Sequence, residues 1–174
     1  MEKKFKISVF GQYGVGKTSF IHRFVEGQFL ENKYNICGII YKKVKLNNDK
    51  EVNVEIWNCY GSEAKFYLNP TKIYFKNTDG IILVYDITKK STLEDLNILL
   101  ENFNKNLEKK IPIILVGNKI DLKNNKNVVS YEEGQQFSNK NGFCAFYETS
   151  AKENININEC FIKLIENIPE IKNK

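Results

Sequence analysis

At 174 residues, with 42% hydrophobic and 13% aromatic content, the chain is long and apolar enough to bury the core of a single domain spanning 1–174. That composition argues for a packed globule rather than a disordered chain. The net charge of +5 permits loose attraction to anionic surfaces, but it rests on lysine, with Arg23 the one arginine and no concentrated basic helix, which argues against nucleic-acid binding.

In chain order, short apolar runs alternate with helical stretches. Lys6–Phe10 reads as a strand, and the glycine-punctuated G11-Q-Y-G-V-G-K-T18 leads into a helix from about Lys17 to Val25. Gly38–Leu46 and Glu51–Trp57 flank the turn-rich N47-N-D-K50 and predict a hairpin. Three buried-type runs follow, Ile81–Tyr85, Ile111–Val116 and Phe143–Tyr147, each separated from the next by a helical length of sequence. The polar tract K123-N-N-K-N127 predicts a solvated loop. In the last helix Ile157, Cys160, Phe161, Leu164, Ile165 and Ile168 share one face and belong to the core, with Pro169 just past the end. The alternation predicts an α/β fold: a mostly parallel sheet with an antiparallel edge hairpin, sandwiched by helices.

Cys37, Cys59, Cys144 and Cys160 are widely spaced and form no C-x-x-C pair, so reduced thiols are expected and a cysteine metal site is not. The amino terminus offers no signal-peptide apolar region and no glycine for myristoylation, and the carboxyl terminus no cysteine for a prenyl group. The expectation for this sequence as written is a chain without a lipid anchor.

Three motifs carry chemistry. G11-Q-Y-G-V-G-K-T18 fits G-x-x-x-x-G-K-[ST], directly after a strand and opening a helix. The backbone N–H groups around Gly14, Val15 and Gly16, with the helix amino terminus at Lys17–Ser19, supply positive potential for a phosphate. Lys17 would bridge the β- and γ-phosphates, and the Thr18 hydroxyl would ligate Mg²⁺. The second motif, N118-K-I-D121, puts a carboxylate where guanine presents its N1–H and exocyclic amine. Adenine lacks both donors there, so binding it would leave a buried acceptor unpaired. The third, T149-S-A-K152, follows a strand and can present backbone N–H groups to the guanine carbonyl.

Together and in this order, these motifs resemble the Ras superfamily of small GTPases over essentially the whole chain. Within it the Rab branch is closest, because G80-I-I-L-V-Y-D-I-T88 is similar to a Rab strand and Tyr74 lies in a Rab-like run before it. The resemblance implies a P-loop small-GTPase fold with a six-stranded sheet, one antiparallel edge strand and helices on both faces. It implies GTP or GDP and Mg²⁺ as cofactors. Asn118, Lys119 and Asp121 then frame the base, Ser150, Ala151 and Lys152 close over it, and Phe29 packs against it. Effectors, exchange factors and GTPase-activating proteins are the partners so implied. The expected form is a cytoplasmic monomer, peripheral on vesicle membranes only through partners or through a prenylated tail beyond this sequence.

The stretch W57-N-C-Y-G-S-E63 departs from that pattern. Relatives carry D-x-x-G-Q here. Gly61 is kept, and its N–H suits a γ-phosphate. The acidic residue of the Mg²⁺ shell is replaced by neutral Asn58, and the water-orienting glutamine by Ser62, which is too short to span the same gap. Eighteen residues on from Thr18, where the family keeps a metal-binding threonine, stands Ile36. Tyr13 puts a bulky ring in the phosphate loop. The expectation is a guanine-nucleotide binder and trafficking switch or scaffold with weak or lost intrinsic hydrolysis. The alternative is an active GTPase whose activating protein supplies an arginine and a glutamine in trans.

Overall fold

The computed structural model describes residues 3–29, 38–59, 74–107, 109–123 and 128–172. Six strands are described: β1 (Lys4–Phe10), β2 (Ile39–Lys45), β3 (Glu51–Asn58), β4 (Gly80–Asp86), β5 (Ile113–Asn118) and β6 (Ala145–Thr149). The helices are α1 (Lys17–Glu26), the short α2 (Ser91–Glu94), α3 (Leu96–Asn106), α4 (Tyr131–Lys140), α5 (Ile157–Glu166) and the short α6 (Pro169–Lys172), with a 3-10 turn at Ile120–Leu122.

The strands form one sheet in the order β2-β3-β1-β4-β5-β6. Only β2 runs antiparallel, paired to β3 through the hairpin from Ile39 opposite Trp57 to Lys45 opposite Glu51. The parallel strands are covered on both faces, which is why their sequences read as continuous apolar runs. In β4 the alternation sorts the core in two: Ile82 and Val84 join Phe20, Phe24, Phe161 and Leu164 on the α1/α5 side. Ile81, Leu83 and Tyr85 join Leu99, Phe103 and Phe137 on the α3/α4 side. Phe161 stacks on Phe24 at 3.9 Å between ring centroids and on Phe20 at 5.1 Å, locking α5 to α1. The start of α4 is fixed by a capping box: Glu133 N–H donates to the Ser130 hydroxyl while the Glu133 carboxylate accepts from Ser130 N–H.

Most strand ends shift by one or two residues from the sequence reading, as in β1, which begins at Lys4 rather than Lys6; the larger differences have a physical reason. Ile111 and Pro112 precede β5, although the Pro112 carbonyl accepts from Ile81 N–H at 3.0 Å; proline has no N–H to continue the ladder. Phe143 and Cys144 likewise precede β6. Pro169 does more than follow the last helix. It opens α6, where its fixed φ and missing N–H suit a first helical position. Ile36, Cys37, Gly61 and Ser62 lie outside the described residues, as does most of the polar tract after Lys123.

Because β1, β4, β5 and β6 are parallel, the loops that leave their carboxyl ends gather at one edge of the sheet. Open α/β sheets bind ligands in that position.

Candidate nucleotide site

The phosphate loop leaves β1 at Gly11 and enters α1 at Lys17. Two glycines are required by contact. A Cβ on Gly11 would lie 2.2 Å from the Val84 carbonyl oxygen, and one on Gly16 would lie 2.4 Å from Asn118 Nδ2. Gly16 also sits at φ 94°, a left-handed conformation that suits glycine. Val15 is fully buried beneath the loop, and Ser19 lies half-buried in the first turn of α1. The Lys17 ammonium, buried under the loop, donates to the carbonyls of Gly11 and Gln12, both at 2.8 Å. Burial pushes its pKa down to about 8. Tyr13 projects from the turn, 61% exposed.

The second motif locks onto this loop. Asn118, buried at the end of β5, donates from Nδ2 to the Val15 carbonyl at 3.0 Å and accepts at Oδ1 from the Thr149 hydroxyl at 3.1 Å. Lys119 adopts φ 74° and reaches back to the Gly14 carbonyl and to Asp86 Oδ2, each at 2.6 Å. Burial alone would raise the Asp86 carboxyl, but hydrogen bonds from Lys119 and Thr88 outweigh it and hold the group below the ordinary carboxylate range. Asp121, in the 3-10 turn, accepts from the Ser150 hydroxyl at 2.7 Å. Ser150 Oγ also accepts from Glu153 N–H at 2.9 Å, and paired backbone bonds between Ser150 and Ile155 close the loop carrying Ala151 and Lys152. The three motifs therefore meet at one edge of the sheet. Phe29 is half-buried against the core on the α1 side.

At the metal position the Asn58 amide, buried at the end of β3, donates to Thr18 Oγ1 at 3.0 Å. Thr18 and Asn58 are oxygen-bearing groups of the hard type that Mg²⁺ prefers, so the pair fits that ion, without a carboxylate. Among the described residues no cluster of three His, Cys, Asp or Glu could hold a metal by itself. Thr18 would be the direct ligand. The ion would supply charge neutralisation on the phosphates.

A cleft at the opposite edge of the sheet, between Phe103, Lys110, Ile113 and Pro169, brings together none of these residues. Sequence reasoning missed Asp86 and the hydroxyl of Thr149 as parts of the site. Each is distant in sequence from its partner, and only the parallel pairing of Asp86 with Asn118 and of Asn118 with Thr149 brings them side by side.

A glycine-rich loop locked to the Asn118–Asp121 turn, at the carboxyl ends of a mostly parallel sheet, matches the P-loop fold of the small-GTPase class. The Ras family model matches residues 6–170. The chain is 35% identical to the Ras-related protein Rab-12 of Mus musculus over 166 residues, 95% of this chain and 67% of that protein. It is 36% identical to the GTP-binding protein yptV2 of Volvox carteri over 164 residues, 94% of this chain and 74% of the relative. With human Ras-related protein Rab-3A the identity is 35% over 170 residues, 95% of this chain and 74% of the relative. The chain belongs to the Ras family and is Rab-like, which implies binding of GTP and GDP.

Proposed function

We propose that this chain is a Rab-like switch or scaffold of vesicle traffic that holds guanine nucleotide through Gly14–Ser19, Asn118, Lys119, Asp121 and Ser150–Lys152 but hydrolyses GTP weakly. The observation that carries it is the contrast between two ends of one site. The base end is tied together by Asn118, Asp121 and Ser150. At the reaction end, a neutral amide faces the Thr18 hydroxyl, with Asn58 Nδ2 donating to Oγ1 at 3.0 Å. An amide brings no negative charge to the metal shell, so Mg²⁺ is held weakly. Hydrolysis requires phosphate charge to be neutralised and a water to be oriented. Ile36 has no hydroxyl to ligate a metal, and Ser62 has no long amide to orient a water. The partners in this reading are effectors, exchange factors and activating proteins, met by a monomer working in the cytoplasm and peripherally on vesicle membranes; no helix among the described residues is long and apolar enough to cross a membrane.

Two measurements on freshly purified protein test the reading. Extraction and identification of the bound nucleotide should return GDP or GTP; an adenine nucleotide, or none, would refute it. Single-turnover hydrolysis with and without a Rab-activating protein then separates a weak site from an activator-dependent one. A slow rate in both conditions supports the proposal, and rapid turnover with the activator overturns it.

A further inference from the structure

Arg23 lies half-exposed on α1, two turns beyond the phosphate loop, where an arginine would ordinarily be read as a solvated charge. Its guanidinium instead spans three backbone carbonyls. Nε donates to Ala151 O at 2.8 Å, Nη2 to Lys152 O at 2.8 Å and Nη1 to Gly27 O at 2.7 Å. Two of these acceptors belong to the loop that follows β6, more than a hundred residues away in sequence.

A trans peptide points its C=O and its N–H in opposite directions. Holding the Ala151 carbonyl therefore aims the Lys152 N–H away from the guanidinium. Holding the Lys152 carbonyl does the same for the Glu153 N–H, which donates to Ser150 Oγ at 2.9 Å, and Ser150 in turn donates to Asp121 Oδ1 at 2.7 Å. One planar fork thus begins a chain of bonds that ends on the carboxylate expected to select the base. A lysine could not reproduce it, because an ammonium lacks two donors fixed in one plane.

On the nucleotide-binding reading above, we propose that Arg23 is a positioning residue for guanine: it orients the Ala151–Lys152 peptide toward the 6-carbonyl of the base and braces Ser150 against Asp121. In doing so it couples the helix that begins at the phosphate loop to the loop that closes over the base.

The test compares release of GDP with release of 2-aminopurine riboside diphosphate, which keeps the 2-amine but lacks the 6-carbonyl and its neighbouring N1 proton. Dissociation rates are measured on the full chain for wild type, Arg23→Met and Arg23→Lys. In Arg23→Met, GDP release should quicken about tenfold and release of the analogue by no more than about threefold, because the analogue lacks the acceptor for the displaced Lys152 N–H and feels only the loosened Asp121 at its 2-amine. Arg23→Lys should behave like Arg23→Met. Equal acceleration of both nucleotides would reduce Arg23 to a general stabiliser and overturn the proposal, as would GDP release at the wild-type rate in either variant. Wild-type protein that holds neither nucleotide would overturn the nucleotide reading itself, and this proposal with it.

Discussion

Asp121 and Asp86 show how two carboxylates in one site acquire different tasks. Asp121 is anchored through one oxygen by Ser150, so its position is set before any base arrives. Asp121→Asn should weaken guanine binding by about 1.5–3 kcal/mol, the loss of a charged hydrogen-bond partner, and should improve xanthine binding because an amide donor can face the additional carbonyl. Competition between GTP and XTP measures this, and unchanged discrimination would place the base elsewhere. Asp86 is instead held by Lys119 and Thr88, with its carboxyl below the ordinary value of 3.8. A carboxyl whose pKa is lower in the folded chain stabilises it above the unfolded value, and that contribution fades as pH falls through the folded value. Urea unfolding from pH 6 down to about pH 3 should therefore show a shallower loss of stability in Asp86→Asn than in wild type. Identical slopes would mean that the Lys119 pair contributes nothing in solution.

At the scale of elements, α1 ties the phosphate loop to the rest of the molecule through aromatic stacking on α5. Phe161→Ala removes a fully buried ring from between Phe20 and Phe24 and should cost about 3–5 kcal/mol. Saturating GDP should return part of that in the midpoint of thermal unfolding, since a ligand of the native state alone stabilises it by mass action. A variant as stable as wild type would show that α1 is held by other contacts. The apolar face of α5 was legible because helical spacing puts its residues on one side. The first residues of β5 and β6 were not. Ile111 and Phe143 are apolar and buried or half-buried without belonging to a strand, and composition does not mark where a ladder begins. The phosphate loop was legible for the opposite reason: wrapping a phosphate fixes residue types at fixed spacing. The anchoring of its Gly14 and Val15 carbonyls by Lys119 and Asn118 needs the folded sheet.

For the whole molecule, the sheet order brings the three motifs together, and the reading proposed above places the defect in hydrolysis at Asn58, Ile36 and Ser62 rather than in the fold. The wild type should hydrolyse GTP more slowly than the roughly 10⁻⁴ s⁻¹ intrinsic rate of a Ras-type site. Ile36→Thr, Asn58→Asp and Ser62→Gln together should raise the single-turnover rate at least about tenfold, about 1.4 kcal/mol of barrier, and far more than any one of them alone. An ordinary family rate in unmodified protein would sink the impaired-site reading. The alternation of strands and helices made the sheet legible, but which side chains cross it was not, because those pairings depend on strand order rather than proximity in sequence. That order has a consequence for synthesis on the ribosome. β1 precedes both of its sheet neighbours, β3 and β4, in the chain, and the apolar face it shares with α1 is covered by α5. Until α5 is synthesised, Phe20 and Phe24 lack the Phe161 ring that stacks on them, so a nascent chain exposes an apolar face that closes only when α5 arrives.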